Sequence, residues 1–207
     1  MNFTDFLNHF VTLLVIANPL SAIPAVLRIT RSDTPAERKN TVFVATLAVG
    51  IIFLVVTWFG KPLLAVLGIR IPAFQIAGGI VLMLLALSML HAEESSMKQN
   101  PDEKRETGAI VPLAMPIIAG PGAISSLIVS VNDYPGVANL LVITSSAMMV
   151  TAVMGLVLWF STSIEHAIGR KGISIFNRIG GLILASIAVQ SFANGCLAFF
   201  PGWGAAP

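Results

Sequence analysis

Apolar residues fall in six long blocks, at 5–27, 41–60, 71–90, 108–131, 137–163 and 173–197, separated by connectors that hold most of the charge. A helix rising about 1.5 Å per residue needs about 20 residues to cross roughly 30 Å of hydrocarbon, so each block is long enough to span a bilayer. The first connector, 28–40, is polar and holds Pro35; the second is short and carries Lys61 and Arg70. The third, 91–107, is the most hydrophilic stretch and reads as a linker. Asp133-Tyr134-Pro135-Gly136 is a turn, and Glu165, His166, Arg170 and Lys171 mark the fifth connector. The pattern predicts an all-α membrane protein with six transmembrane helices.

Composition removes the soluble alternative. Of 207 residues, 56% are apolar and 11% charged, against about 25% charged in soluble domains. Six spans nearly exhaust the chain. The net charge is only +2, and the basic residues stand beside helix ends, a topology signal and not a nucleic-acid patch. Ten of them (Arg28, Arg31, Arg38, Lys39, Lys98, Lys104, Arg105, Arg170, Lys171 and Arg178) belong to the side of the first, third and fifth connectors, and two, Lys61 and Arg70, to the other. The ten are expected in the cytoplasm, with both termini on the periplasmic side of a bacterial inner membrane. No Lys or Arg precedes the first block and Asn18-Pro19 interrupts it, so it reads as a retained helix and not a cleaved signal.

A shift of 102 residues aligns the chain with itself. Phe74 falls on Phe176, Gln75 on Asn177, and Gly78-Gly79 on Gly180-Gly181; the same shift places Ile16-Ala17-Asn18-Pro19 on Ile118-Ala119-Gly120-Pro121. Two units, 1–91 and 108–207, joined by a cytoplasmic linker at 92–107, form one membrane domain. Each unit holds three spans, and an odd number makes the second unit enter from the opposite face. The predicted fold is therefore two inverted three-helix repeats, an architecture of many secondary transporters. Gly78, Gly79, Gly180 and Gly181 are expected to pack the third and sixth helices against the first and fourth.

The first and fourth helices carry breaks. Proline lacks the N–H an interior helical position donates, and Asn-Pro or Gly-Pro reads as an N-cap followed by the first residue of a new helix. Asn18-Pro19 and Gly120-Pro121 are thus expected to start half-helices, about 16 Å into their spans and so near the midplane. Half-helix N-termini offer N–H donors and the positive end of the helix dipole. The pair suits a carboxylate, with Asn18, Pro19, Ser21, Gly120, Pro121, Gly122, Ser125 and Ser126 as the candidate substrate-binding set.

Other side chains bear on what the site lacks. Every Asp and Glu falls in a connector or at a helix end, which argues against coupling through a central carboxylate. His9, His91 and His166 are expected at the interfaces. Gln75 and Asn177 suit either an interface or the cavity. Cys196 has no second cysteine to pair with and reads as a small buried residue. No metal-ligand, nucleophile–base, phosphate-loop or dinucleotide pattern occurs, so no enzyme activity, metal or cofactor is expected.

Asn18-Pro-Leu-Ser-Ala-Ile-Pro, Ile76-Ala-Gly-Gly-Ile, the run Val111-Pro-Leu-Ala-Met-Pro-Ile-Ile-Ala-Gly-Pro-Gly-Ala-Ile-Ser and Arg178-Ile-Gly-Gly-Leu together resemble the MarC family across essentially the whole chain. Arg178-Ile179-Gly180-Gly181 stands where members often show Arg-Ile-Met-Gly. The resemblance implies a six-helix inner-membrane protein akin to SnatA-type transporters of small neutral amino acids such as glycine and alanine. The function expected is a secondary transporter or exporter of small neutral solutes. A passive small-solute channel and a non-transporting membrane protein are the alternatives. The expected partners are the bilayer, a small-molecule substrate and, as an option, a second copy of the chain.

Overall fold

The computed structural model describes residues 2–91, 119–200 and 202. They form seven helices, and no strand occurs among the described residues: α1 (Phe3–Ala17), α2 (Pro19–Ile29), α3 (Pro35–Val66), α4 (Ile71–Leu90), α5 (Pro121–Asp133), α6 (Val137–Trp159) and α7 (Ser161–Phe199). The predicted linker 92–107 and the predicted start of the fourth span, through residue 118, lie outside the described residues.

Local chemistry sets the helix ends. Asn2 and Asp5 close a capping box over α1, and Thr34 and Glu37 close another over α3, where Pro35 takes the first helical position. That box starts α3 inside the connector that hydropathy assigns to 28–40. The helix also runs through Lys61 to Val66, beyond the predicted boundary. Likewise α7 begins at Ser161, so the predicted fifth connector is helical, interrupted at Gly169 (φ 71°). Helices need backbone hydrogen bonds, not apolar residues, and polar first turns are invisible to a hydropathy reading. The third span matches its predicted bounds at Ile71–Leu90.

Five helical stretches are long and apolar enough to cross a membrane: Phe3–Ile29, Pro35–Val66, Ile71–Leu90, Val137–Trp159 and Lys171–Phe199. Their outward faces carry large apolar side chains, among them Phe59, Val66, Leu84 and Leu182, which suit contact with lipid. Leu13, Ile23, Phe53, Leu127, Ile143, Met154, Leu158 and Leu184 are fully buried. In lipid little hydrophobic force draws helices together, so close packing must hold the bundle.

Small residues make that packing possible. A Cβ on Gly79 would lie 2.8 Å from the backbone nitrogen of Phe192 and 3.0 Å from the carbonyl oxygen of Ala188. A Cβ on Gly181 would lie 3.2 Å from the carbonyl oxygen of Ala86, and its surroundings include Leu90. Gly79 and Gly181, Ala86 and Ala188, and Leu90 and Phe192 are each 102 residues apart, so the two contacts exchange under the sequence repeat. Whole helices do the same: α2 packs on α6 and α7, while α5 packs on α3 and α4.

The repeat-related helices pack on each other, α3 on α6 and α4 on α7. Along α3, Thr46 opposes Gly155, Gly50 opposes Thr151, and Trp58 donates its indole N–H to Thr144 at 3.2 Å. One number rises as the other falls, so the pair is antiparallel. The α4–α7 pair is too, with Gly79 against Ala188 and Gly195 against Ile76. Arg38 and Lys39 at the start of α3 reach Thr162 and the Trp159 ring, whereas Arg70 at the start of α4 lies over Phe199.

Candidate functional site

Asn18 is where the first span breaks. It is the one non-glycine residue with positive φ (37°) among the described residues, and it both ends α1 and caps α2. A short polar side chain tolerates this left-handed backbone and bonds locally. Its Oδ1 accepts the Ser21 N–H at 3.3 Å, and its backbone carbonyl accepts the Ser21 hydroxyl at 2.8 Å. Its Nδ2 points to the Met89 sulfur at 3.7 Å, and a Cβ on Gly180 would lie 3.3 Å from the same nitrogen. The glycine therefore lets α7 approach the break.

Gly120 caps α5 with extended backbone (φ −62°, ψ 162°), and Pro121 follows at the first helical position. The N–H groups of Ala123 and Ile124 both bond the Gly120 carbonyl, at 3.0 and 3.2 Å. Gly120 itself adds no side chain over the first turn. Both Pro-started helices are thus present as helix starts. Pro19 and Pro121 have no N–H, and the Ser21 and Ala123 N–H groups are already bonded, which leaves at most one N–H in each first turn, from Leu20 and from Gly122, to meet an anion.

Of the other predicted site residues, Pro19 is buried, Ser21, Gly120 and Ser126 are half-buried and Pro121 is exposed. Gly122 and Ser125 are buried against α4. A Cβ on Gly122 would collide with the Leu82 side chain, one on Gly78 would collide with Ser125, and Ser125 donates to the Phe74 carbonyl at 3.4 Å. These two residues pack α5 on α4 in this conformation. Asn18 touches α4 at Met89 and Gly122 touches it at Leu82, seven residues apart, which is about 10 Å along the helix. The two starts therefore share the α4–α7 pair as a wall but stand at different depths along it.

The buried polar residues among those described are His9, Thr30, Thr57, Ser125, Ser146, Thr151 and Ser161, with no Asp, Glu, Lys or Arg. A narrow cleft lies between α3 and α6, lined by Thr46, Val49, Thr151, Met154 and Leu158, and it is too tight for water. Asn177 keeps a buried, unpartnered Oδ1 one turn before Gly180. Among the described residues no group of three His, Cys, Asp or Glu is placed to hold a metal.

His9 departs from expectation. Placed at the interface by its position near the chain start, it is instead buried in the bundle, 2.6 Å from the Ser146 hydroxyl through Nδ1. The signal was in its spacing: His9, Leu13, Ile16 and Ala17 form one buried stripe of α1, the i, i+4, i+7 face of an amphipathic helix. Its Nε2 is buried without a partner, an arrangement that costs about 1–3 kcal/mol.

The break at Asn18 yields a stability prediction. Asn18→Ala removes the cap, about 1 kcal/mol, and puts an alanine at positive φ, about 1 kcal/mol more. Asn18→Gly loses only a few tenths, because glycine adopts this backbone freely. Thermal unfolding in mild detergent should rank alanine below glycine and glycine near wild type; the reverse order would show that the left-handed turn is not what Asn18 secures.

A bundle whose helices are long, lipid-faced and joined by glycine contacts defines a multi-pass integral membrane protein. The chain belongs to the MarC family: the model described as "MarC family integral membrane protein" matches residues 3–200. It is 35% identical over 202 residues to a UPF0056 membrane protein of Buchnera aphidicola, covering 95% of this chain and 94% of that one. It is 33% identical over 210 residues to the UPF0056 membrane protein YhcE of Escherichia coli, covering 97% and 96%. A UPF0056 membrane protein of Methanocaldococcus jannaschii is 32% identical over 209 residues, covering 97% and 92%. No solved structure matches.

Proposed function

We propose that this protein is a secondary transporter of small neutral solutes, with small amino acids such as glycine and alanine as its substrates. The observation that carries the reading is the pair of proline-led helix starts, Asn18-Pro19 and Gly120-Pro121, related by one sequence offset and set inside apolar blocks of the sequence. Each presents a helix N-terminus suited to a carboxylate, and the described interior holds no Lys or Arg to do so instead. A zwitterion met by dipoles and hydroxyls needs no buried charge. The substrate-binding set is Asn18, Pro19, Ser21, Gly120, Pro121, Gly122, Ser125 and Ser126, with Gly122 and Ser125 reached when α5 moves off α4. The reading assigns no catalytic step and no cofactor.

The architecture proposed is six spans in two inverted three-helix repeats. Antiparallel packing of α3 on α6 and of α4 on α7 supports it: a two-fold axis that exchanges antiparallel partners runs perpendicular to them, hence in the membrane plane. The carrier sits in the bacterial inner membrane with both termini periplasmic. A reporter active only in the cytoplasm should be silent when fused after Pro207 and active when inserted at 92–107; the opposite pattern would invert the topology.

Binding is tested on the purified protein by calorimetry with glycine and alanine. Saturable heat that a bulky amino acid such as tryptophan does not produce supports the reading. Heat with none of them removes small amino acids as substrates.

A further inference from the structure

The buried imidazole of His9 stands apart from the Asn18 break. It stands nine residues before Asn18 on α1, about 13 Å along the helix, too far for one small amino acid to touch both. Its surroundings determine its chemistry. The Ser146 hydroxyl donates to the carbonyl of Ile143 at 2.9 Å and lies 2.6 Å from His9 Nδ1. Assigning the hydroxyl proton to the Ile143 carbonyl makes the hydroxyl oxygen the acceptor and places the imidazole N–H on Nδ1, a tautomer assigned from this network. Nε2 is then a bare lone pair, enclosed in the protein with no donor opposite it.

An unpaired basic nitrogen is an odd residue to keep in a lipid-solvated bundle, where Leu or Phe would fill the space without an orphaned polar atom. Ionisable groups inside spans mark ion and proton pathways, and histidine is the side chain whose charge changes nearest neutral pH. We propose that His9 is the proton-binding group of this protein, with Ser146 as its positioning partner, and that it couples substrate movement to a proton. The inference rests on the transporter reading. In the step, a hydronium ion gives one proton to Nε2, leaving water and an imidazolium whose Nδ1–H still bonds Ser146. The proton returns to water when the site opens to the other side.

The groups near His9 are few. On α1, Asp5 lies one turn earlier and accepts the Asn2 N–H at 2.9 Å. Of the helices packed on α1, α6 carries no titratable residue, and α5 carries only Asp133, exposed at its last position. In α7, Glu165, His166, Arg170, Lys171 and Arg178 lie in the first half and Cys196 near the end. His9 is the one buried residue among those described that can change charge.

The test has one arm that needs no substrate. In nanodiscs with ¹⁵N-labelled histidine, the signal missing in His9→Gln identifies His9. At pH 8 it should report Nδ1–H with a bare Nε2, and it should convert to imidazolium as the pH falls toward 4; Ser146→Ala should shift that conversion. A His9 signal that stays neutral down to pH 4 in both proteins would overturn the proposal. The second arm uses proteoliposomes and glycine. A pH difference of one unit should accumulate glycine up to about tenfold at one proton per substrate. Whatever its absolute rate, His9→Gln should show a flat pH profile, while His91→Gln and His166→Gln keep the wild-type slope. A sloped profile in His9→Gln would also overturn it. If wild type moves no glycine at all, the transporter reading fails, and the resonance arm still decides whether His9 takes a proton.

Discussion

Gly79→Leu should leave no correctly folded protein to purify. A Cβ at this position meets the backbone of Phe192 at 2.8 Å and the Ala188 carbonyl at 3.0 Å. Backbone cannot rotate away as a side-chain tip can, so α4 and α7 must part, and this pair forms the most extensive helix contact in the described bundle. Close approach is what holds helices together in lipid, so parting them weakens the force that joins them. Even Gly79→Ala should cost about 1–3 kcal/mol, the range for overpacking a tight interior. The repeat partner Gly181 has its closest contacts at 3.2 Å, so Gly181→Ala should be milder despite the symmetry. Detergent-solubilised yield and unfolding temperature, measured by size-exclusion fluorescence, give the comparison. A Gly79→Leu protein that elutes and melts like wild type would show that the α4–α7 contact is looser than described.

Gly120→Val should abolish transport without preventing insertion. Gly120 has ordinary extended backbone (φ −62°, ψ 162°), so a branched residue is not strained there. What valine adds is bulk over the first turn of α5, where the proposed carboxylate approaches the N–H groups. It also removes no hydrogen bond, since glycine caps this helix without a side chain. Uptake should fall at least about a hundredfold, the effect of losing roughly 2.7 kcal/mol of binding, while the protein elutes as wild type. Normal uptake by Gly120→Val would move the substrate away from this helix start.

Much of this arrangement was legible in the sequence because it rests on strong local chemistry. Asn18-Pro19 and Gly120-Pro121 announce helix starts through the absent proline N–H, and each is one. The glycines at 78, 79, 180 and 181 signal close approach; Gly78 meets Ser125 of α5 and Gly180 meets Asn18, as expected, but Gly79 meets Ala188 and Phe192 and Gly181 meets Ala86, so these two pack the third and sixth spans on each other and not on the first and fourth. What hydropathy could not show was helix outside the apolar blocks. The capping box of Thr34 and Glu37 begins α3 in a polar connector, and α7 carries helix through Glu165 and His166. Burial of individual polar residues was also hidden. His9 looks interfacial by depth and is buried by helical phase, while Gly122 and Ser125 look like cavity residues by composition yet press on α4. Phase relative to a neighbouring helix is a tertiary property, and one sequence carries it only through spacing.

The measurement that bears most directly on the account is uptake of radiolabelled glycine by proteoliposomes holding the purified wild-type protein. Uptake should exceed that of protein-free vesicles, saturate with glycine concentration, be competed by unlabelled alanine, and be lost in Gly120→Val. Uptake no greater than in empty vesicles, or a flux that rises linearly without competition as through an open channel, would contradict it.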